Sequence, residues 1–195
     1  MSVRPTANAS DILDFWFAPA HAASWFVKDA DFDAELRQRF GAEREMAAQG
    51  RLDDWAAKPE SWLALLLLLD QLPRNLYRGS GRAWAADVKA QRVALSGLDD
   101  GFDQALPPLR RVFAYLPLEH AENMGLQQRA VALFEALHAQ VPADERERFS
   151  VFLDYARRHH EVISRFGRFP HRNAALGRSN TPDETDYLAQ AGAGF

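Results

Sequence analysis

Three polar stretches of the sequence hold residue types that can do chemistry. The densest begins at His159: His159-His160-Glu161-Val162-Ile163-Ser164-Arg165-Phe166-Gly167-Arg168-Phe169-Pro170-His171-Arg172-Asn173, then Leu176-Gly177-Arg178. Four arginines (165, 168, 172 and 178) face one acid, Glu161, in a chain whose formal net charge is -4. Arginine supplies 20 of the 23 basic residues, and its planar fork suits carboxylate or phosphate groups bound in a fixed geometry. Gly167 and Pro170 bracket a turn from which Arg168, Phe169, His171 and Arg172 are expected to project, with main-chain N–H groups adding an anion-binding nest. The second stretch, Asp70-Gln71-Leu72-Pro73-Arg74-Asn75, follows a leucine run. Asp70 and Arg74 are four apart, the spacing that pairs an acid with a base on one helix face. In the third, Tyr115-Leu116-Pro117-Leu118-Glu119-His120-Ala121-Glu122-Asn123, His120 sits between two carboxylates that favour its charged form and hold one tautomer.

Together these stretches predict one polar pocket for an anionic small molecule or a peptide carboxylate. Arg74, Arg165, Arg168 and Arg172 are its anion contacts, and Gln71, Asn75, Asn173 and Glu122 complete and orient it. His120, His159 and His171, with Asp70, are the candidates for acid–base catalysis such as hydrolysis, elimination or isomerisation. Two other readings use the same residues. In one the stretches are internal struts that secure helix ends; in the other the chain is a peptide-binding adaptor with no chemistry of its own.

Several mechanisms are excluded by what is missing. With no cysteine, disulfides, thiolate catalysis and Fe–S clusters drop out, as does a cysteine-ligated deaminase zinc beside His120-Ala121-Glu122. His160-Glu161-Val162-Ile163-Ser164 has Ser where a zincin helix needs its second His. Glu-x-x-His does not recur as a di-iron bundle requires, and a single metal held by His120, His159 or His171 plus a carboxylate has no motif to support it, so neither metal nor cofactor is expected. Phosphate-cradling glycine loops and the Gly-x-Ser-x-Gly elbow are absent too.

The elements that must hold these residues are helices. Ser10 is placed to cap Asp11 to Phe17. From Asp31 to Gln49, Phe32, Leu36, Phe40 and Ala47 recur at helical spacing before Gly50. Ser61 to Gln71 is leucine-rich, a composition that favours helix over strand, and being apolar all round it must be buried. Pro73 is expected to bend or end it. Arg82 to Gly97 reads as a helix with Trp84, Val88 and Leu95 inward, and Pro117 as an interruption before Leu118 to Asn123. Leu126 to Gln140 follows, then a helix from a capping Asp144 to about Phe166. His159 and His160 fall on or beside its Phe149–Ile163 stripe. Thr181-Pro182-Asp183-Glu184 forms a capping box. Phe15, Trp16, Phe17, Trp25 and Phe26 read as core. Helix following helix over short turns predicts an all-α stack of antiparallel pairs.

Length and composition set the remaining bounds. At 195 residues, 47% hydrophobic and 26% charged, with no Gly/Ser linker, the chain reads as a single all-α domain over 1–195. Its charge balance gives no reason to expect nucleic acid or an anionic membrane. The longest apolar run, Leu63 to Leu69, is short of a membrane span, and Met1-Ser2-Val3-Arg4-Pro5 lacks a signal peptide's apolar stretch, so a cytoplasmic monomer or homodimer is expected.

The three stretches, with Ile12-Leu13-Asp14-Phe15-Trp16-Phe17 and Trp25-Phe26, resemble the uncharacterised bacterial family known as domain of unknown function 924, nearly end to end. Leu69-Asp70-Gln71-Leu72-Pro73-Arg74-Asn75 is similar to its Leu-Asp-Gln-Phe-Pro-Arg-Asn motif, with Leu72 for Phe. Leu116-Pro117-Leu118-Glu119-His120-Ala121-Glu122 is similar to Met-Pro-Leu-x-His-Ser-Glu, with Ala121 for Ser. Arg165 to Asn173 is identical to the family's longest signature, and His159 falls where the family has a histidine. The resemblance implies a tetratricopeptide-like all-α fold and brings no established activity. Fold analogy alone implies a peptide- or protein-binding module.

Overall fold

The computed structural model describes residues 6–194. Met1-Ser2-Val3-Arg4-Pro5, where no signal peptide is expected, and the closing Phe195 lie outside the described residues. Every regular element among the described residues is helical, and no helix is long and apolar enough to cross a membrane. The chain gathers into two compact units, one built up to Arg78 and from Arg82–Pro117, the other from Gly79–Gly81 and from Leu118 onward.

The leucine run is the hub of the first unit. Helices α1 (Ala9–Trp16), α2 (Ala30–Ala48), α3 (Pro59–Leu66), α4 (Leu72–Leu76) and α5 (Asp87–Asp99) belong here, as does all of α6 (Pro108–Glu119) up to Pro117. Trp62 to Leu69 are each at most 1% exposed. Each large side chain of that kind contributes about 1.5–3 kcal/mol on leaving water. Around α3 and its continuation pack α1, α2 and α5. Close approach of α5 needs Gly97, because a Cβ there would lie 2.3 Å from the Trp62 ring, whose Nε1 donates to the Val93 carbonyl at 2.7 Å.

Several local expectations are corrected. Asn8, not Ser10, caps α1, accepting from the Asp11 N–H while the Asp11 carboxylate accepts from Asn8 in return. Pro73 does not end the central helix. A π turn over Leu67–Gln71 widens the coil just before it, with Leu72 N–H reaching back to the Leu67 carbonyl, and the chain runs on as α4. Pro117 likewise lies inside α6. Val88 is exposed; the buried face of α5 is Ala90, Ala94, Gly97 and Leu98. Phe26 is surface rather than core, at 57% exposure, and stacks on Phe113 with its rings 5.8 Å apart.

The second unit is framed by α7 (Met124–Gln140), α8 (Arg146–Phe166) and α9 (Pro182–Leu188). Helices α7 and α8 pack along each other across a short connection. Asn123 caps α7 by accepting from Leu126 N–H. Asp144 is not the α8 cap: the helix starts one residue later than that assignment requires, after Glu145, with no side-chain cap. Gly167 ends α8 in the left-handed conformation at φ +69°. The predicted capping box at Thr181 and Glu184 is formed. Between α8 and α9 the end of the signature and the residues after it fold as two short 3-10 turns, Pro170–Arg172 and Ala174–Leu176. Phe169 and Arg172 do not project from it; both are buried, at 0% and 5% exposure.

Candidate functional site

The Asp70–Asn75 motif lies in the first unit, at the π turn and α4. Arg74 donates to both Asp87 carboxylate oxygens at 3.0 Å and to the Asp70 main-chain carbonyl at 2.7 Å, with the Asp70 carboxylate 3.2 Å away. Gln71 donates to Asp70 at 2.6 Å, and Asn75 to Asp33 at 2.7 Å. The structure thus gathers Asp70, Gln71 and Arg74 with Asp87 into one largely buried network, and ties Asn75 separately to Asp33. The two partner aspartates, Asp87 and Asp33, are 13 and 42 residues away in sequence from the groups they bind. No local pattern marks those two aspartates.

Residues of the other two motifs meet in the second unit. Glu122 accepts from Arg178 at 2.7 and 2.9 Å and from the Phe169 N–H at 2.8 Å. The main-chain donor expected to greet an outside anion therefore binds a protein carboxylate. Burial pushes the Glu122 carboxyl up, but the bonds from Arg178 and Phe169 outweigh it and hold the group below its usual range. Arg168 grips Glu184 through two hydrogen bonds of 2.6 and 2.8 Å and also donates to the Ser179 carbonyl. With Thr181 N–H and the Asn173 amide adding to the Arg168 bonds, the Glu184 carboxyl falls to about 2 despite its burial. Asn173 also donates to Asn180 at 2.8 Å.

A cluster of imidazoles sits beside this framework. His159 Nδ1 lies 2.8 Å from the Tyr155 carbonyl and 3.1 Å from Glu119 Oε1. The His120 ring centre is 5.9 Å from that of His159, and the Phe169 ring is 5.5 Å from His159 and 5.7 Å from His171. Arg172 stacks over Phe169 at 4.3 Å and donates to the His120 carbonyl at 3.1 Å. Burial, with the charges of His120, Arg172 and His171, drives the His159 pKa well below its ordinary value, so its ring is neutral at neutral pH.

Family comparison agrees with the motifs. The model of a family described as bacterial protein of unknown function (DUF924) matches residues 12–192. The chain belongs to the DUF924 family. A solved structure, that of the protein of unknown function ATU0120 from Agrobacterium tumefaciens, is similar to it with 43% identity and a TM-score of 0.83, covering 93% of this chain and 96% of that one. No curated protein matches.

One arginine of the DUF924 signature is placed differently from the rest. Arg165, exposed on the last turn of α8, makes no ion pair among the described residues; its guanidinium lies 4.7 Å from the Phe166 ring centre. It lines a cavity of about 220 Å³ shared by α8, α9 and the turn after it. Arg158 and Glu161 are its other charged walls, Val162, Phe166 and Tyr187 its apolar ones, and Gln190 offers an amide. The imidazole cluster does not line this cavity, and neither do Arg168 and Arg172. What the cavity can do chemically is bind: it holds two guanidinium groups against one carboxylate.

Proposed function

We propose that this DUF924 protein binds a small carboxylate-bearing molecule in the cavity between α8 and α9, with Arg165 and Arg158 as its anion contacts. The observation that carries this reading is Arg165, a cation with no protein carboxylate among the described residues, set at the wall of a cavity. A guanidinium so placed has its fork open to a ligand carboxylate. Size supports a small molecule over a peptide: about 220 Å³ is below the roughly 300–1,000 Å³ of sites for drug-sized ligands. Glu161 on the same wall suits a ligand that also carries a cationic or donor group, as a zwitterion does. Within this reading Arg168, Arg178 and Asn173 are positioning residues, since they hold the signature turns to Glu184, Glu122 and Asn180.

Thermal-shift and calorimetric titrations with small mono- and dicarboxylates, amino acids and inorganic phosphate test it. A ligand at a hundred times its Kd adds about 2.7 kcal/mol to the folded state, an easily read shift. The expected result is binding of a carboxylate by the wild type and its loss in Arg165→Ala at unchanged melting temperature. Equal binding by Arg165→Ala overturns the assignment.

A further inference from the structure

We infer that Glu119, His120 and His159 form a binding site for one divalent transition-metal ion in the second unit, a site apart from the Arg165 cavity. Each residue offers one ligand atom, and the three atoms lie within 4.8 Å of one another. Two imidazole nitrogens and one carboxylate oxygen are a donor set that zinc and its first-row neighbours accept, with at least one coordination position left open. Metal–ligand distances of about 2.1 Å put the ligand atoms of a tetrahedral ion roughly 3.4 Å apart. An ion therefore draws the ligand atoms closer than the 4.8 Å that bounds their present separations.

The surroundings are built as a metal site's outer shell is built. The Tyr155 carbonyl, which can only accept, lies 2.8 Å from His159 Nδ1, so that nitrogen carries the proton and Nε2 the lone pair that a metal takes. Glu119 Oε1, now 3.1 Å from the same Nδ1, gives up that contact to join the ion. The turn holding Glu119 and His120 is pinned by the buried Gln127 amide, which donates to the Glu119 carbonyl at 2.6 Å and the Ala121 carbonyl at 2.8 Å. Arg172 fixes it from the other side through the His120 carbonyl at 3.1 Å. Glu119 and His159 are buried, at 3% and 5% exposure, while His120 is partly open and gives the ion a way in. Charge decides what fills the open position. Glu119 offsets only part of the ion's charge and Arg172 adds to it, so water, hydroxide or an anion completes the shell.

The test uses the full-length chain without a histidine tag, stripped with chelator and titrated with zinc, and with cobalt as a spectroscopic stand-in. Expected are one ion per chain, visible cobalt d–d bands of a tetrahedral or five-coordinate site, and affinity at least about tenfold weaker in Glu119→Gln and His120→Gln. His120→Gln, at the partly open position, is the informative variant if changes at the buried ligands cost folding, which circular dichroism reports. His171→Gln, outside the ligand set, keeps the ion. Absence of stoichiometric binding by the wild type overturns the inference, as does undiminished affinity in a folded His120→Gln protein. Because the Arg165 variant plays no part, failure here leaves the carboxylate reading standing, and failure there leaves this one.

Discussion

Arg74 and Arg165 each belong to a family motif, yet they are in opposite situations. In the first unit, Arg74 is enclosed by Asp70 and Asp87 and ties the π turn to the start of α5. In the second, Arg165 stands on the last turn of α8 beside a cavity, with an aromatic ring as its neighbour. Arg168 and Arg178 side with Arg74, each meeting a carboxylate of its own unit. A guanidinium in a polar motif is therefore two different things. Buried, it must be neutralised during folding because a lone charge out of water is costly; exposed, it keeps its hydration and remains available to a ligand.

This contrast can be broken experimentally, beginning with the strongest effect. Arg74→Ala leaves the buried carboxylates of Asp70 and Asp87 without their cation. It is expected to cost near the lower end of about 3–5 kcal/mol in chemical denaturation, since Arg74 itself keeps some solvent contact. A loss under about 1 kcal/mol means the motif is no strut. Gly97→Ala forces a methyl group into the Trp62 indole and is expected to cost about 1–3 kcal/mol, seen as a lower Tm. An unchanged Tm means α5 shifts freely against the leucine helix.

The acid limb of stability probes the second unit's internal pairing. The Glu184 carboxyl lies at about 2 in the folded chain against an ordinary 4.5. A depressed folded value means that its contribution is present in full above pH 4.5 and lost as pH falls toward 2. Glu184→Gln should therefore lower stability at neutral pH, and its gap from wild type should close across that window. A gap that stays constant with pH assigns the loss to packing. The smallest expected effect belongs to Arg165→Ala: stability within about 0.5 kcal/mol of wild type, with ligand binding gone. A large loss of stability instead makes Arg165 another strut and removes the contrast.

Much of the fold is legible in the sequence because helices are specified locally. Leucine content and the 3.6-residue period mark α2, α3, α7 and α8, Gly167 marks the end of α8, and the capping box at Thr181 marks the start of α9. Where local signals mislead, the cause is tertiary. Pro73 and Pro117 read as breaks, but burial on all sides keeps the coil continuous, with a π turn absorbing the first. Val88 reads as inward by spacing alone, while contact with the leucine helix selects small residues at Ala90, Ala94 and Gly97 for that face. At the candidate sites, the clustering of arginine and histidine is visible in the sequence, but the fate of each charge is not. Asp33, Asp87 and Glu184 are what decide it, and nothing within a few residues of them announces the role.

By itself, then, the sequence determines an all-α chain of the DUF924 family and the residue types available for binding. These follow from propensities, caps and contiguous motifs, all short-range properties. Only the tertiary structure decides which arginines are consumed in holding the fold, that Phe169 and Arg172 turn inward, and that Glu119, His120 and His159 come within reach of a single ion. The physical reason is that pairing and desolvation depend on distances through space, which residues far apart in the chain acquire only when their helices pack.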